Sequence, residues 1–233
     1  MEIPTTKFKP EPLPGGTVVF TTPSHRFGTD ALLLANFCVP YKRWSALDLG
    51  SGSGILLLTL LDRGLAGRAV GVELDEDGSH LLSAAIQKNG FANAQAVHAD
   101  LRTYRSTHLF DLIISNPPYF SAGPLPPKEA RARVRHETFC NMEDLCYTAA
   151  ANLKDNGRFC LCYPANRLAS LFASLAAHNL APKRLQLARK GTDKQPWLAL
   201  VDARKAGGEG LSILPDIILT PGNAFTYTEY RTL

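Results

Sequence analysis

The sequence predicts an α/β fold, a mostly parallel β-sheet with helices on both faces, from two observations. From Trp44 onward, short apolar segments of strand length alternate with amphipathic segments of helix length, which calls for crossover connections between parallel strands. A glycine-rich turn, Gly50-Ser51-Gly52-Ser53-Gly54, joins the first of these strands to the first helix, where open parallel sheets form their ligand crevices.

Each element has its own signal. Ser45 to Leu49 reads as a strand and Ser53 to Gly64 as a helix. Ala69 to Leu74 is the second strand, Asp77 to Asn89 a helix, and Ala94 to His98 the third strand. Phe110 to Ser115 contains the run Leu112-Ile113-Ile114, suited to a strand buried on both faces. Met142 to Leu153 is helical, Arg158 to Tyr163 a strand, and Ala165 to His178 a further helix. Lys183 to Ala188 and Trp197 to Ala203 read as a hairpin closing the sheet, and the apolar segment Leu211 to Thr220 as a last piece of strand. Upstream, Met1 to Gly16 is rich in proline and lacks periodicity, so it reads as a partly ordered arm. Thr17 to Phe20 forms a short strand, and Thr29-Asp30 ahead of Ala31-Leu32-Leu33-Leu34-Ala35 reads as a capped helix start. The expected organisation is one compact unit, with an arm and helix in residues 1–40 and the main domain in 41–233.

Composition removes several classes. A chain of 233 residues with 45% hydrophobic and 20% charged residues resembles an average globular protein and buries a core without staples. The first fourteen residues carry Glu2, Glu11 and four prolines with no apolar core, so they are not a secretory signal. Apolar runs such as Ile55 to Leu61 are too short to span a bilayer. The five cysteines include no Cys-x-x-Cys pair, and Cys160 and Cys162 should share one face of a strand as buried thiols. The six histidines have no metal-ligand spacing, so no metal is expected, and buried free thiols make a reducing, cytoplasmic setting the expectation. The formal charge of +4 permits an anionic partner without requiring one.

The chemistry concentrates at the ends of successive strands. Asp48 precedes a loop with glycines at 50, 52 and 54, where the backbone can turn sharply and leave room for a ligand. A dinucleotide loop wants its third glycine at position 55, which is Ile55, and no Gly-Lys-Ser/Thr sequence supplies a phosphate loop. Glu73, beside Leu74 at the end of the second strand, can accept hydrogen bonds from the vicinal hydroxyls of a ribose. Asp100 follows the third strand, placed to meet an adenine amine, with Leu101 offering a backbone donor. Each acid alone also fits a helix cap or a solvated charge. Together the three strand ends describe a pocket for an adenine nucleoside without phosphates.

Asp48 to Gly54, Glu73 and Asp100 resemble the cofactor motifs of class I S-adenosylmethionine-dependent methyltransferases. The resemblance implies a Rossmann-like, seven-stranded sheet whose last strand is antiparallel, and S-adenosyl-L-methionine as cofactor. After the fourth strand, Asn116-Pro117-Pro118-Tyr119 is similar to the Asn-Pro-Pro-Tyr motif of amino methyltransferases acting on planar nitrogen. The two prolines hold Asn116 at the sheet edge beside the cofactor. The Asn116 side-chain oxygen and the Pro117 carbonyl can each accept one N–H of an exocyclic amine, while Tyr119 offers a stacking face. That set, Asn116, Pro117, Pro118 and Tyr119, is the expected catalytic corner.

Phe27-Gly28-Thr29-Asp30-Ala31-Leu32-Leu33-Leu34 is similar to a segment of bacterial enzymes that methylate an adenine amine in valine tRNA, just 3′ of the anticodon. By that resemblance Phe27 to Asp30 close over the cofactor and target pocket; the same residues also fit a helix start that merely packs on the sheet. The insertion Ser121 to Cys140 carries Lys128, Arg131, Arg133 and Arg135, which fit either a phosphate-contacting arm or a solvated loop. The implied partner is tRNA, and the implied reaction is N6-methylation of adenine 37. Methylation of a glutamine in a release factor, or of guanine N2 in ribosomal RNA, uses related chemistry. The first usually brings a separate N-terminal helical domain and the second a duplicated domain, and neither is read here.

Overall fold

A computed structural model describes residues 8–117 and 141–219. Its strands are β1 (Lys9–Pro12), β2 (Val18–Thr21), β3 (Ala46–Leu49), β4 (Ala69–Glu73), β5 (Ala94–His98), β6 (Phe110–Ser115), β7 (Leu153–Pro164), β8 (Leu180–Arg189), β9 (Leu198–Lys205), β10 (Ser212–Ile213) and β11 (Ile217–Ile218). Its helices are α1 (Thr29–Phe37), α2 (Ile55–Asp62), α3 (Glu76–Asn89), α4 (Met142–Asn152) and α5 (Leu168–Ala177), the last entered through a 3-10 turn at Ala165–Arg167. The main sheet runs β8-β9-β7-β6-β3-β4-β5. Within it only β9 is antiparallel to its neighbours, inserted between β7 and β8. The expected mostly parallel sheet is present, but among the described residues it has nine strands rather than seven, because the segment after residue 210 adds two short strands, β10 and β11, parallel to β8.

Two apolar layers sandwich this sheet because successive strand residues point to opposite faces. Ala46, Leu112, Ile114, Cys160 and Cys162 face α1, α2 and α3. Leu47, Leu49, Ile113, Phe159 and Leu161 face α4 and α5. Cys160 and Cys162 thus share a face as buried thiols, as their spacing predicts.

The differences from expectation have local causes. Helix α2 begins at Ile55 rather than Ser53 because Gly54 takes the left-handed conformation, φ 84°. Helix α1 begins at Thr29 with Gly28 at the cap and no side-chain cap. Thr29-Asp30 is therefore not a preceding cap: Asp30 lies inside the first turn, where its carboxylate accepts the Ala31 N–H at 2.9 Å. Strand β7 starts five residues early, because Phe110 pairs with Leu153 and the register then slips before Leu112 meets Arg158. Lys154 to Gly157, between the expected helix and the expected strand, is accommodated as an irregularity, with Asn156 at φ 62°.

The described part of the proline-rich arm is also more regular than expected. Residues Lys9–Pro12 pair antiparallel with β2, in the register Pro10↔Phe20 and Pro12↔Val18. A two-stranded ribbon tolerates prolines where no ladder donor is needed, which is why the lack of periodicity conceals it. Side chains of the main domain hold this hairpin. Asp62, at the end of α2, accepts from Gly15 N at 2.8 Å and Thr17 N at 2.9 Å. Asn89, at the end of α3, accepts from Val18 N and donates to Val18 O, both at 2.8 Å, taking the place of a neighbouring strand. Among the described residues, no helix is long and apolar enough to cross a membrane.

Replacing both Asp62 and Asn89 by Ala should release the hairpin while leaving the sheet intact, each loss amounting to about 1–2 kcal/mol. Amide hydrogen exchange should accelerate at least roughly tenfold in β1 and β2. Unchanged protection there would show that the two side chains do not hold it.

Candidate active site

The chain order places β4 and β6 on opposite sides of β3, so a crevice opens at the C-terminal ends of these strands. The loop after β3 forms one wall. Gly50, Gly52 and Gly54 have φ of 73°, 51° and 84°, a region unfavourable to residues with a Cβ. A Cβ built at Gly50 or Gly52 meets nothing within 4 Å, so those positions face open space that a ligand can approach. The Gly50 and Ser51 amides donate to Val72 O at 2.9 and 3.0 Å, and the Gly54 amide to Ser51 O at 2.7 Å.

Glu73 closes the loop from the side. Its Oε2 accepts the Gly52 N–H at 2.7 Å and its Oε1 the Asp75 N–H at 2.9 Å. Each oxygen keeps a further lone pair, so the carboxylate can still accept ribose hydroxyls. Leu74 follows it, exposed, with its carbonyl 2.9 Å from His98 Nε2. Asp75 caps α3 by accepting the Gly78 N–H at 3.0 Å and meets His25 Nε2 at 3.1 Å. The segment that leads into Phe27, Gly28, Thr29 and Asp30 is thereby fixed next to Glu73. Phe27 is half-buried against the α1–α3 layer and lines, with Lys9, Thr21 and Arg26, a cavity of about 290 Å³.

Asp48 lies beneath the loop rather than in the crevice. It is 0% exposed, and neither carboxyl oxygen has a hydrogen-bond partner. Burial pushes its pKa up to about 8; the amide of Leu57 in α2 compensates only in part without closing a hydrogen bond, and the nearby Glu73 charge adds to the rise. The enclosed acid therefore keeps its proton at neutral pH.

Asp100 stands on the far side of the crevice with a partner that spacing alone did not suggest. Arg102 Nε reaches Asp100 Oδ1 at 3.0 Å and Oδ2 at 2.8 Å, and its Nη2 reaches Oδ2 at 2.5 Å. This fork holds the Asp100 carboxyl below its usual range. An adenine amine at Asp100 must share the carboxylate with Arg102 or displace it. Leu101 is half-buried, and its carbonyl accepts from Thr148 Oγ1 at 3.0 Å.

The fourth wall is the end of β6. The Ser115 hydroxyl donates to Leu49 O at 2.7 Å, so the residue before Asn116 is tied to the residue before Gly50. Asn116 is half-buried, its Oδ1 accepts from the Cys162 thiol at 2.9 Å, and Pro117 is buried behind it. Pro118, Tyr119, Lys128, Arg131, Arg133 and Arg135 lie outside the described residues. Sequence reasoning did not find Ser115, Cys162, Arg102 or the His25–Asp75 contact. Serine, cysteine and arginine at such spacings carry no distinctive pattern, and only the strand register shows what they touch.

The methyltransferase small domain model matches residues 16–169, which include the glycine loop, Glu73, Asp100 and Asn116. The chain belongs to that family. It is an S-adenosylmethionine-dependent methyltransferase, and the open glycine loop beside an accepting carboxylate suits a nucleoside-bearing cofactor. The chain is 29% identical over 220 residues to the tRNA1(Val) (adenine(37)-N6)-methyltransferase of Porphyromonas gingivalis strain W83, covering 89% of this chain and 86% of that protein. It is 31% identical to the protein of the same name from Tolumonas auensis, covering 76% of this chain and 75% of the relative. A solved predicted O-methyltransferase from Agrobacterium tumefaciens shares the fold at 20% identity, with a TM-score of 0.64 over 84% of this chain and 91% of that one.

Removing the Glu73 carboxylate with Glu73→Ala should weaken S-adenosylmethionine binding by at least tenfold in calorimetry, a loss of about 1.4 kcal/mol or more. Equal affinity would exclude Glu73 from the cofactor site. Asp48 predicts a distinct pH signature. The folded protein keeps its proton up to about pH 8, whereas the unfolded chain releases it near 3.8, so stability from this group falls as pH rises between those values. Thermal unfolding of the ligand-free protein should therefore lose more on going from pH 5 to 8 than that of Asp48→Asn. Parallel pH profiles would refute the assignment.

Proposed function

We propose that this methyltransferase transfers the methyl group of S-adenosylmethionine to the exocyclic N6 of an adenine in tRNA, adenine 37 beside the anticodon of valine tRNA. The observation that carries the reading is the Ser115–Leu49 bond, which sets Asn116 and Pro117 against the glycine loop. The names of relatives that match across most of the chain support the substrate.

S-adenosylmethionine supplies a methyl group made electrophilic by its sulfonium sulfur. The protein's task is to present a nitrogen to that carbon. An adenine amine is a poor nucleophile because its lone pair is delocalised into the ring. Asn116 Oδ1 and the Pro117 carbonyl accept its two N–H groups, which favours a pyramidal nitrogen and directs the lone pair toward the methyl. Glu73 and the glycine loop hold the donor end, so the reaction gains from alignment and fixed dipoles rather than from a covalent enzyme intermediate. The surplus proton leaves the nitrogen after transfer, so no strong base is required. A base in an anticodon loop is cheaper to unstack than a paired one, which suits an enzyme that reads RNA with its catalytic face. A tRNA-modifying role fits a cytoplasmic setting.

Incubation with labelled S-adenosylmethionine and total RNA lacking the modification, followed by nucleoside mass spectrometry, tests the reading. N6-methyladenosine confined to valine tRNA is the expected product; label in protein or in guanosine would overturn it. Asn116→Ala should retain cofactor binding and lose about 100- to 1,000-fold in methyl transfer. Full activity in that variant would remove the amine-activation mechanism.

A further inference from the structure

Asn116 does not hold its side chain alone. Strands β6 and β7 pair in parallel with Ser115 opposite Leu161, so Cys162 falls one step further on, beside Asn116. The Cys162 thiol donates to Asn116 Oδ1 at 2.9 Å. Cys162 is fully buried, whereas Asn116 is half-buried at the crevice, so this contact approaches the reacting oxygen from the protein side. Cys160 lies two residues back on the same face, where its thiol meets Cys38 instead. Cys162 is therefore the thiol of this strand that reaches the catalytic corner.

The terminal torsion of an asparagine is broad, so its oxygen and nitrogen exchange places unless something distinguishes them. A thiol donor makes that distinction, because it favours the orientation that turns the oxygen toward it. It occupies one lone pair of Oδ1 and leaves another for an incoming N–H. Because S–H is a weak donor, it orients the oxygen while withdrawing little of its electron density. A hydroxyl would preserve the orientation; an aliphatic side chain would lose it.

We infer that Cys162 is a positioning residue for methyl transfer, fixing the Asn116 carboxamide with its oxygen available to the target amine. This inference rests on Asn116 receiving that amine. Single-turnover methylation of an unmodified valine tRNA transcript at saturating S-adenosylmethionine tests it, with cofactor affinity and thermal unfolding measured in parallel. Cys162→Val, which fills the space without a donor, and Cys162→Ala should each slow the step roughly 10- to 100-fold. The tRNA KM and the cofactor Kd should stay within about twofold, because binding is not the step affected. Cys162→Ser should recover most of the rate. Combining Cys162→Ala with Asn116→Ala should be no slower than Asn116→Ala alone, since the thiol acts through the amide. The side-chain amide resonance of Asn116 should shift in Cys162→Val and stay near its wild-type position in Cys162→Ser.

Full speed in Cys162→Val, a serine variant as slow as valine, or additive losses in the double variant would each overturn the inference while leaving the role of Asn116 standing. Full speed in Asn116→Ala would instead overturn the mechanism on which it rests.

Discussion

The site depends on one hydrogen bond between strand ends. Strands β3 and β6 are parallel neighbours in the middle of the sheet, and Ser115 bridges them where both leave it. Parallel pairing alone aligns the strands but does not dictate how two departing loops sit against each other. The Ser115 hydroxyl, buried and bonded to Leu49 O, removes that freedom. The glycine loop and the Asn116–Pro117 corner are thus two lips of one crevice, and the distance between them is a property of the core.

Around that crevice, charge is distributed by depth. Asp48 is enclosed and its raised pKa keeps it neutral below pH 8. Glu73, half-buried at the rim, uses one oxygen on the loop and the other on the start of α3, so the same carboxylate that can face a ribose also shapes its seat. Asp100 is committed to Arg102 before any adenine arrives. Three acids at three strand ends therefore sit in three different environments, set by burial and by partner rather than by residue type.

Much of this was readable in the residues. The alternation of strand and helix follows from hydrophobic period, and that same period puts the glycine loop, Glu73, Asp100 and Asn116 at strand ends. Less accessible was anything depending on which strands are neighbours. Cys162 and Asn116 are 46 residues apart, and only the β6–β7 register brings them together. The pairing of β1 was hidden because its prolines obscure the alternation that marks a strand. The depth of Asp48 was hidden too, since a carboxylate before a glycine loop looks the same in the sequence whether it faces the ligand or lies beneath it.

The placement of β9 also bears on biosynthesis. Among the described residues, strand β8 meets the rest of the main sheet only through β9, which lies between it and β7. A ribosome releasing this chain delivers β8 before the element that joins it to the rest, so the sheet remains open on that side until nearly all the described chain has emerged. The amino-terminal hairpin waits in a similar way, for anchors 45 to 71 residues downstream. Translation from one end thus delivers the strands that carry the glycine loop and Glu73 first and joins β8 to the sheet last.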